Sequence, residues 1–284
     1  MTDWTTRAAL EWASGLFDSN ESMSAGLDAE LLLCHTMGLR RVDLYIDTER
    51  PLTPEERDTY MAYVFRRVKG EPVAYITRGK EFYGLSFEVG PGVLIPRPET
   101  ELLVEKTLEL APQGSTVIEI GTGSGAVIIS VLVCRQDLKG VATDISIDAL
   151  LIAKKNALRH NVDKRIAFAV ADAIEAIGEN SQIIVMNPPY VAEKDINLLS
   201  RDILKFEPGC ALFGGVDGMH VIKKVIKRLD SCLRPGGILI METGYDQQEK
   251  TDAICANNEN LIIRHWLNDL AGRPRAVIIE KTAV

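Results

Sequence analysis

The sequence predicts an α/β protein in which a mostly parallel, doubly wound sheet follows a small helical domain and a short hairpin. Strand and helix patterns alternate from Ser115 onward, and no strand pattern interrupts residues 1–75. Glycines and prolines are concentrated between these two regions. We therefore expect a helical domain over residues 1–77, a hairpin linker over residues 78–98 and a larger domain over residues 99–284.

The N-terminal region shows clear helix signals. Residues 25–37 carry apolar side chains at helical spacing, and a helix start follows at Thr53 and Pro54. Thr53 can cap this helix, Pro54 suits its first position, and Glu56 completes a capping box. These signals predict helices on both sides of residues 38–52.

The larger domain shows seven short apolar runs, which is the number of strands that we expect in its sheet. The last two runs have no helix pattern between them, so we expect them to pair antiparallel. The strands are predicted at residues 116–120, 140–143, 166–170, 183–186, 237–241, 261–267 and 276–280. Helices are predicted at residues 99–110, 126–134, 147–159 and 218–233.

Net charge and composition argue against a nucleic-acid-binding protein, a membrane protein and a metal-binding protein. The formal net charge is −8, and no basic face of the kind that grips nucleic acid phosphates is evident. No segment approaches the roughly 18–20 apolar residues of a membrane span, and the first residues lack a leader pattern, so we expect a cytoplasmic protein. The five cysteines form no C-x-x-C pair and are expected to be buried thiols, and the four histidines add no metal-ligand spacing, so no metal is expected.

A glycine-rich loop follows the first strand of the larger domain and leads directly into a helix. Glycines allow a close approach of the backbone to a ligand, and a helix N-terminus offers free N–H groups. Open sheets of this type bind ligands at the carboxyl ends of their strands. The candidate cofactor loop is Gly121-Thr122-Gly123-Ser124-Gly125.

Three carboxylates accompany this loop. Asp144 ends the second strand and can accept hydrogen bonds from both ribose hydroxyls, and Asp172 follows the third strand, where it can meet an adenine. Glu119 precedes the first glycine by two residues, where it can bind an ammonium group. The loop and Asp144 also fit a dinucleotide fingerprint. Glu119 and the third glycine of the loop favour S-adenosylmethionine (SAM) over NAD, but this segment alone leaves both cofactors open.

The fourth strand leads into Asn187-Pro188-Pro189-Tyr190. The two prolines lack an N–H, so the segment is stiff and its carbonyls can stay free. A planar NH2 group can donate one hydrogen to the side-chain oxygen of Asn187 and the other to the carbonyl of Pro188. Its nitrogen then faces the methyl sulfonium of the cofactor, beside Asn187, and Tyr190 can stack on the planar group. The alternative interpretation of this segment is a simple turn after a strand.

The Asn-Pro-Pro-Tyr motif resembles that of the amino-methyltransferases, which modify exocyclic base amines or the glutamine side-chain amide. The rest of the chain resembles the release factor glutamine methyltransferases (the HemK/PrmC family) along nearly its full length. The matching runs include residues 28–33, 70–76, 81–85, 94–101, 206–208, 233–237, 242–247 and 269–273.

This resemblance implies a seven-stranded, Rossmann-like class I SAM-dependent methyltransferase domain, joined by a β-hairpin linker to an N-terminal helical domain that recognises the substrate. It implies methylation of the glutamine in the Gly-Gly-Gln motif of peptide chain release factors, which are the implied protein partners, with S-adenosylhomocysteine as product. Residues 121–125 and Asp144 would hold SAM, residues 187–190 would hold the glutamine, and Asp172 or Ala173 would line the adenine site. Many members carry a larger, often aromatic residue at Ala173, so the adenine contact departs from the family pattern there.

Three other functions remain to be separated from this one. An adenine-amine methyltransferase acting on DNA or RNA would use the same acceptor motif, but the acidic charge argues against it. An NAD-dependent dehydrogenase explains the glycine-rich loop and leaves residues 187–190 without a role. A non-catalytic SAM-binding or adaptor protein is disfavoured because both the cofactor loop and the acceptor motif are intact. We expect a monomer that binds neither nucleic acid nor a membrane.

Overall fold

The computed structural model describes residues 4–19, 24–269 and 271–282. It divides into two compact units: a helical unit (residues 1–79 and 201–206) and a sheet unit (residues 80–200 and 207–284). The helices are α1 Thr6–Asp18, α2 Ala25–Met37, α3 Arg41–Ile46, α4 Pro54–Val68, α5 Val73–Ile76, α6 Glu101–Leu110, α7 Ala126–Cys134, α8 Ile147–Arg159, α9 Arg201–Phe206, α10 His220–Cys232 and α11 Gln248–Ala256. The strands are β1 Lys80–Phe82, β2 Leu85–Phe87, β3 Thr116–Ile120, β4 Lys139–Asp144, β5 Ile166–Val170, β6 Ser181–Met186, β7 Leu233–Glu242, β8 Leu261–Asn268 and β9 Pro274–Lys281.

The helical unit confirms the helical character predicted for the N-terminal region. Helices α1, α2 and α4 share a buried apolar core, in which the hydroxyl of Tyr60 donates to the carbonyl of Ala29 at 3.1 Å. Helix α4 begins as predicted, with Pro54 in its first turn. The Thr53 hydroxyl accepts from the N–H of Glu56, and the carboxylate of Glu56 accepts from the N–H of Thr53. This reciprocal pair satisfies two backbone donors at the helix start.

Helix α9 belongs to the helical unit although it lies far along the chain, and the sequence patterns did not predict it. Arg67 of α4 carries the contact: it binds Asp28 at 2.7 Å and Asp202 of α9 at 2.6 Å. The side chain of Arg67 is only 14% exposed, so its guanidinium is held between two carboxylates with limited access to water. Removing one partner of such an ion pair destabilises the fold, because it leaves a poorly hydrated charge without its partner.

The linker forms the predicted hairpin and lies in the sheet unit. Strands β1 and β2 pair antiparallel, and Tyr83 and Gly84 form the two-residue turn with φ values of 50° and 70°. Two successive positive φ values are typical of the turn whose twist matches that of a hairpin. The N–H of Tyr83 also donates to the carboxylate of Glu101 at 2.9 Å, which fixes the turn beside α6.

The seven-stranded sheet has the order β5-β4-β3-β6-β7-β9-β8. Its first five strands in this order pair in parallel, and β9 pairs antiparallel with both β7 and β8. The antiparallel pairing of the last two strands was predicted. Apolar clusters cover both faces of the sheet, as a doubly wound arrangement requires. The carboxyl ends of β3, β4 and β6 meet at one edge, and this edge carries the predicted cofactor and acceptor residues.

Three details differ from the sequence-based expectations. Helix α11 was not predicted, because few of its residues are buried and its apolar pattern is weak. Strand β7 begins at Leu233, four residues earlier than expected, because the Pro-Gly-Gly run that reads as a turn is part of the strand. Cys134 and Cys210 are exposed, so the expectation of five buried thiols was wrong for these two. Within the described residues, no helix has the length and apolar character needed to cross a membrane.

Candidate functional site

A pocket lies at the carboxyl edge of the sheet, within the sheet unit, where ligands bind in open α/β sheets. It brings together most of the site residues predicted from the sequence. Those that line it are Glu119, Gly121, Thr122, Gly123, Ser124, Asp144, Asp172, Ala173, Asn187, Pro188 and Pro189. Gly125 and Tyr190 are not among the lining residues.

The backbone of the glycine-rich loop explains why every second residue is glycine. Gly121, Gly123 and Gly125 have φ values of 70°, 55° and 81°, a left-handed region in which a side chain is strained. A Cβ on Gly125 would lie 2.7 Å from the Cδ1 of Ile129 and 3.2 Å from the Cβ of Ala153. Gly125 therefore permits close packing of α7 and α8, whereas the first two glycines shape the pocket wall.

Glu119 is the most buried carboxylate of the cofactor loop. Its side chain accepts hydrogen bonds from the hydroxyl of Thr122 and from the backbone N–H of Ile128. Burial nevertheless raises the pKa of Glu119 to about 8, because desolvation outweighs these two donors. A buried carboxyl at a pocket wall favours a ligand that brings positive charge, so the ammonium group of a methionine moiety fits this position.

Asp144 is held in one orientation by backbone donors. Its Oδ2 accepts from the N–H of Gly123 and its Oδ1 from the N–H of Ser146, each at 2.9 Å. Burial raises the pKa of Asp144, and these backbone hydrogen bonds oppose the rise. Both oxygens keep further lone pairs that can accept from the hydroxyls of a ligand. The residues present therefore fit a nucleoside whose amino-acid end reaches Glu119.

Asp172 and Ala173, which were predicted to line an adenine site, both line the pocket. The carboxylate of Asp172 forms an ion pair with Lys224 at 2.7 Å, and Glu175 binds the same lysine at 2.7 Å. Ala173 has a φ of 51°, which is unusual for a residue with a Cβ.

A hydrogen-bonded chain lies behind the acceptor motif. The Nδ2 of Asn187 donates to the hydroxyl of Thr100 at 3.1 Å, and that hydroxyl donates to the Oε2 of Glu242 at 2.7 Å. The hydroxyl of Tyr190 donates to the other oxygen, Oε1, at 3.1 Å. Because the amide nitrogen of Asn187 is used by Thr100, its side-chain oxygen stays available to a ligand in the pocket.

Glu242 forms the centre of this chain and is only 1% exposed. Burial raises the pKa of Glu242 to about 7, while the hydroxyls of Thr100 and Tyr190 and the charge of Arg275 oppose the rise. Burial also raises the pKa of the Tyr190 phenol, and the charge of Glu242 adds to this effect. Tyr190 thus remains a neutral donor in the physiological range.

The backbone of the acceptor motif is clamped from the side opposite the pocket. The Nε2 of Gln247 donates to the carbonyl of Tyr190 at 2.9 Å and contacts the carbonyl of Gly218 at 3.2 Å. A Cβ on Gly214 would lie 2.6 Å from the carbonyl of Pro189, and one on Gly218 would lie 2.3 Å from that of Tyr190. These close approaches exclude side chains larger than hydrogen and keep the motif in place.

A third buried carboxylate fixes residues 95–97, of which Pro96 and Arg97 line the pocket. Glu207 binds the guanidinium of Arg97 at 2.6 Å and accepts from the N–H of Ile95 at 3.1 Å. Its side chain is 1% exposed, whereas that of Arg97 is 32% exposed and reaches the pocket. Glu207 therefore anchors residues 95–97.

Sequence reasoning missed Thr100, Glu242 and Gln247 as functional positions. Each lies in a run that resembles the family, but no motif in the sequence assigned a role to it. The available signal was a carboxylate at the end of the apolar strand β7, because buried acids are rare unless they have partners. Among the described residues, no group of three or more His, Cys, Asp or Glu could hold a metal ion.

Comparison with known proteins identifies the family to which the chain belongs. Residues 8–77 match the family model of the PrmC N-terminal domain, and residues 98–205 match the methyltransferase small domain. A release factor glutamine methyltransferase of Koribacter versatilis (strain Ellin345) is 40% identical over 286 residues, which cover 98% of this chain and 99% of that protein. Another, of Coxiella burnetii (strain RSA 493 / Nine Mile phase I), is 44% identical over 263 residues, covering 92% of this chain and 93% of that one.

The solved structures agree on the fold. A methyltransferase of Pyrococcus furiosus superposes with a TM-score of 0.54 at 19% identity, covering 78% of this chain and 98% of that protein. This likeness shows the class I methyltransferase fold and no more. Because these relatives are 40% and 44% identical over at least 92% of this chain, the chain belongs to the release factor glutamine methyltransferase family and is a SAM-dependent methyltransferase.

Proposed function

We propose that this enzyme methylates the side-chain amide nitrogen of the glutamine in the Gly-Gly-Gln motif of peptide chain release factors, and thereby modulates translation termination. The observation that carries the proposal is the orientation of Asn187. Its amide nitrogen is engaged by Thr100, so its oxygen can accept one hydrogen of a planar NH2 group. The family relationship supplies the substrate class, because the relatives are named for release factors.

The cofactor would lie along the carboxyl edge of β3 and β4. Glu119 would bind the ammonium group, Asp144 the ribose hydroxyls, and Asp172 with Ala173 the adenine. Gly121 to Ser124 would form the floor, with Gly125 holding the loop against α7 and α8. Bound SAM supplies an electrophilic methyl group on a sulfonium.

The chain's own residues position the acceptor. An amide nitrogen is a poor nucleophile, so the rate must come from orientation and from oxygens that stabilise positive charge growing on the NH2 group. The side-chain oxygen of Asn187 and the carbonyl of Pro188 are the two acceptors, and they direct the nitrogen lone pair toward the cofactor. After transfer the methylated nitrogen releases one hydrogen as a proton to water. Pro189 keeps the segment stiff. Tyr190, tethered to Glu242, supports the wall against which the glutamine amide packs.

The helical unit carries none of these groups, and we propose that it recognises the release factor. We also propose that the enzyme acts as a monomer and without binding nucleic acid. The net charge of −8 supports the second point, because duplex DNA and RNA attract basic surfaces.

The test is incubation with methyl-labelled SAM and an intact release factor, followed by mass spectrometric mapping of the label. We expect one methyl group, on the glutamine of the Gly-Gly-Gln motif. A release factor with that glutamine replaced by asparagine is the matched control and should stay unlabelled. Label on a duplex oligonucleotide, or on another release factor residue, would contradict the proposal.

A further inference from the structure

The acceptor motif is supported by a carboxylate that does not itself line the pocket. Glu242 ends strand β7, and both of its oxygens are occupied by hydroxyl donors. One donor, Thr100, lines the pocket and contacts Asn187, while the other is Tyr190. The carboxylate therefore touches both ends of the acceptor motif through its neighbours.

We propose that Glu242 is a positioning residue that acts through Thr100 to keep the side-chain oxygen of Asn187 directed at the substrate amide. This inference rests on the proposed function, because it concerns how the acceptor glutamine is aligned. It assigns to Thr100 and Glu242 a role in the methyl-transfer step, although neither is in the acceptor motif.

The direction of the hydrogen bonds carries the argument. A threonine hydroxyl has one proton, and Thr100 gives it to the Oε2 of Glu242. Its oxygen can then only accept from Asn187, so Asn187 must present its NH2 group to Thr100 and its oxygen to the pocket. If the Thr100 proton turned to Asn187 instead, the amide would flip. A flipped Asn187 would present hydrogens to the hydrogens of the substrate NH2 group.

The burial of this chain makes the order of donors and acceptors rigid. Thr100 is 5% exposed and Glu242 is 1% exposed, so water competes little for either group. In such surroundings a polar group that loses its partner is costly, and the network keeps one arrangement. The native residues therefore fix the orientation of the Asn187 side-chain amide before the substrate binds.

The charge state of Glu242 should matter for the same reason. When Glu242 is protonated, one of its two oxygens carries a hydrogen and donates it. Either Thr100 or Tyr190 then loses the oxygen to which its hydroxyl donates. The charged and titratable groups that influence Glu242 are Tyr190, Arg275 and Glu99. Burial raises the pKa of Glu242 to about 7, within the range of an activity assay.

The first experiment compares three threonine variants in single-turnover methylation of release factor at saturating SAM. Thr100→Val keeps the shape but removes the hydroxyl, and Thr100→Ser restores it. Thr107→Val is the matched control, because Thr107 is fully buried on α6 and its hydroxyl has no partner within the part of the chain that the structure describes.

We expect Thr100→Val to lower the rate about ten- to a hundredfold, somewhat less than the loss of a direct transition-state contact. SAM affinity and the KM for release factor should change much less than the rate. Thr100→Ser should recover most of the activity, and Thr107→Val should retain it. A native rate in Thr100→Val, or a serine variant as slow as the valine variant, would overturn the inference.

The second experiment tests Glu242 itself through the pH profile of the same rate. In the native enzyme the rate should fall as pH drops below about 7, since a proton on Oε2 of Glu242 takes the acceptor away from Thr100. In Glu242→Gln that limb should be absent, because an amide does not titrate in this range. Identical profiles in the two proteins would contradict the role of Glu242.

A third measurement separates this inference from the proposed function. The side-chain NH2 signals of Asn187 can be assigned by NMR in 15N-asparagine-labelled protein, because they vanish in Asn187→Asp. They should shift in Thr100→Val and should titrate with pH in the native protein but not in Glu242→Gln. Unchanged signals overturn the network, whereas a native enzyme with shifting signals and no release factor methylation overturns only the proposed function.

Discussion

The binding of SAM should depend on pH in a way set by Glu119. The carboxyl is buried, and its pKa is raised to about 8 in the free protein. If it binds the ammonium group of SAM as a carboxylate, it must first lose its proton at neutral pH. Cofactor binding should therefore release a proton below pH 8, and affinity should rise with pH in that range.

The magnitude follows from the pKa. One unit below its pKa a carboxyl is ionised in about one molecule in ten, and two units below in about one in a hundred. The dissociation constant should therefore fall about tenfold between pH 6 and pH 7, which corresponds to about 1.4 kcal/mol. The α-amino group of SAM loses its own proton near pH 8, since such groups titrate at about 7.7–8.0. Affinity should thus peak near pH 8.

Calorimetry in two buffers of different ionisation enthalpy measures the protons released on binding. At pH 6.5 we expect close to one proton per SAM in the native protein. Glu119→Gln should release none and should bind with an affinity that is flat between pH 6 and pH 7.5. Glu105→Gln, at an exposed position on α6, is the matched control and should behave as native. Proton-neutral binding by the native protein would refute the placement of the ammonium group at Glu119.

Three further outcomes follow from the site. Asp144→Ala should weaken SAM binding about ten- to a hundredfold in calorimetry, because losing hydrogen bonds to a charged group costs roughly 1.5–3 kcal/mol, and unchanged affinity would disprove its ribose contact. Asn187→Ala should slow single-turnover methyl transfer about a hundred- to a thousandfold with little effect on SAM affinity, and a near-native rate would mean that the motif is only a turn. Gly125→Ala should destabilise the protein by about 1–3 kcal/mol in chemical unfolding, because its φ of 81° and the nearby Ile129 both oppose a Cβ, while Gly178→Ala, which meets nothing within 4 Å, should not.

The cofactor half of the site could be predicted from the sequence because its geometry is local. A strand, a glycine-rich turn and a helix follow one another directly, and Asp144 lies at the tip of the next strand. The parallel sheet then brings these tips to one edge without further information. Gly125 differs from the expectation, because it does not line the pocket. A sequence pattern cannot separate a glycine that contacts a ligand from one that permits close helix packing.

The support behind the acceptor motif could not be predicted in the same way. Thr100 and Glu242 are separated by 142 positions in the chain, and their contact depends on how α6 packs against β7. No periodicity or spacing encodes which side chains meet across such a distance. Helix α9 is a similar case, because its six residues are too few for a pattern, and its partner Arg67 is 135 positions away.

The place of α9 in the helical unit bears on what removal of residues 1–79 would do. A chain that begins at Lys80 retains every residue that lines the pocket, so it should bind SAM with near-native affinity if it folds. It should lose most of its activity on intact release factor. Full activity in this truncated protein would show that the helices are not a recognition element.

Loss of activity would by itself have two explanations, because the truncation also removes Arg67 from Asp202. The segment that contains α9 runs between Tyr190 of the acceptor motif and Glu207, so loss of this ion pair also removes a restraint on the chain that follows the motif. Asp202→Ala in the full-length chain breaks this ion pair and leaves the helices in place. We expect this variant to keep most of its activity, with a KM for release factor close to native. If Asp202→Ala lost as much activity as the truncated chain, the loss would be due to the ion pair of α9. Recognition of the release factor by the helices would then not explain the effect of the truncation.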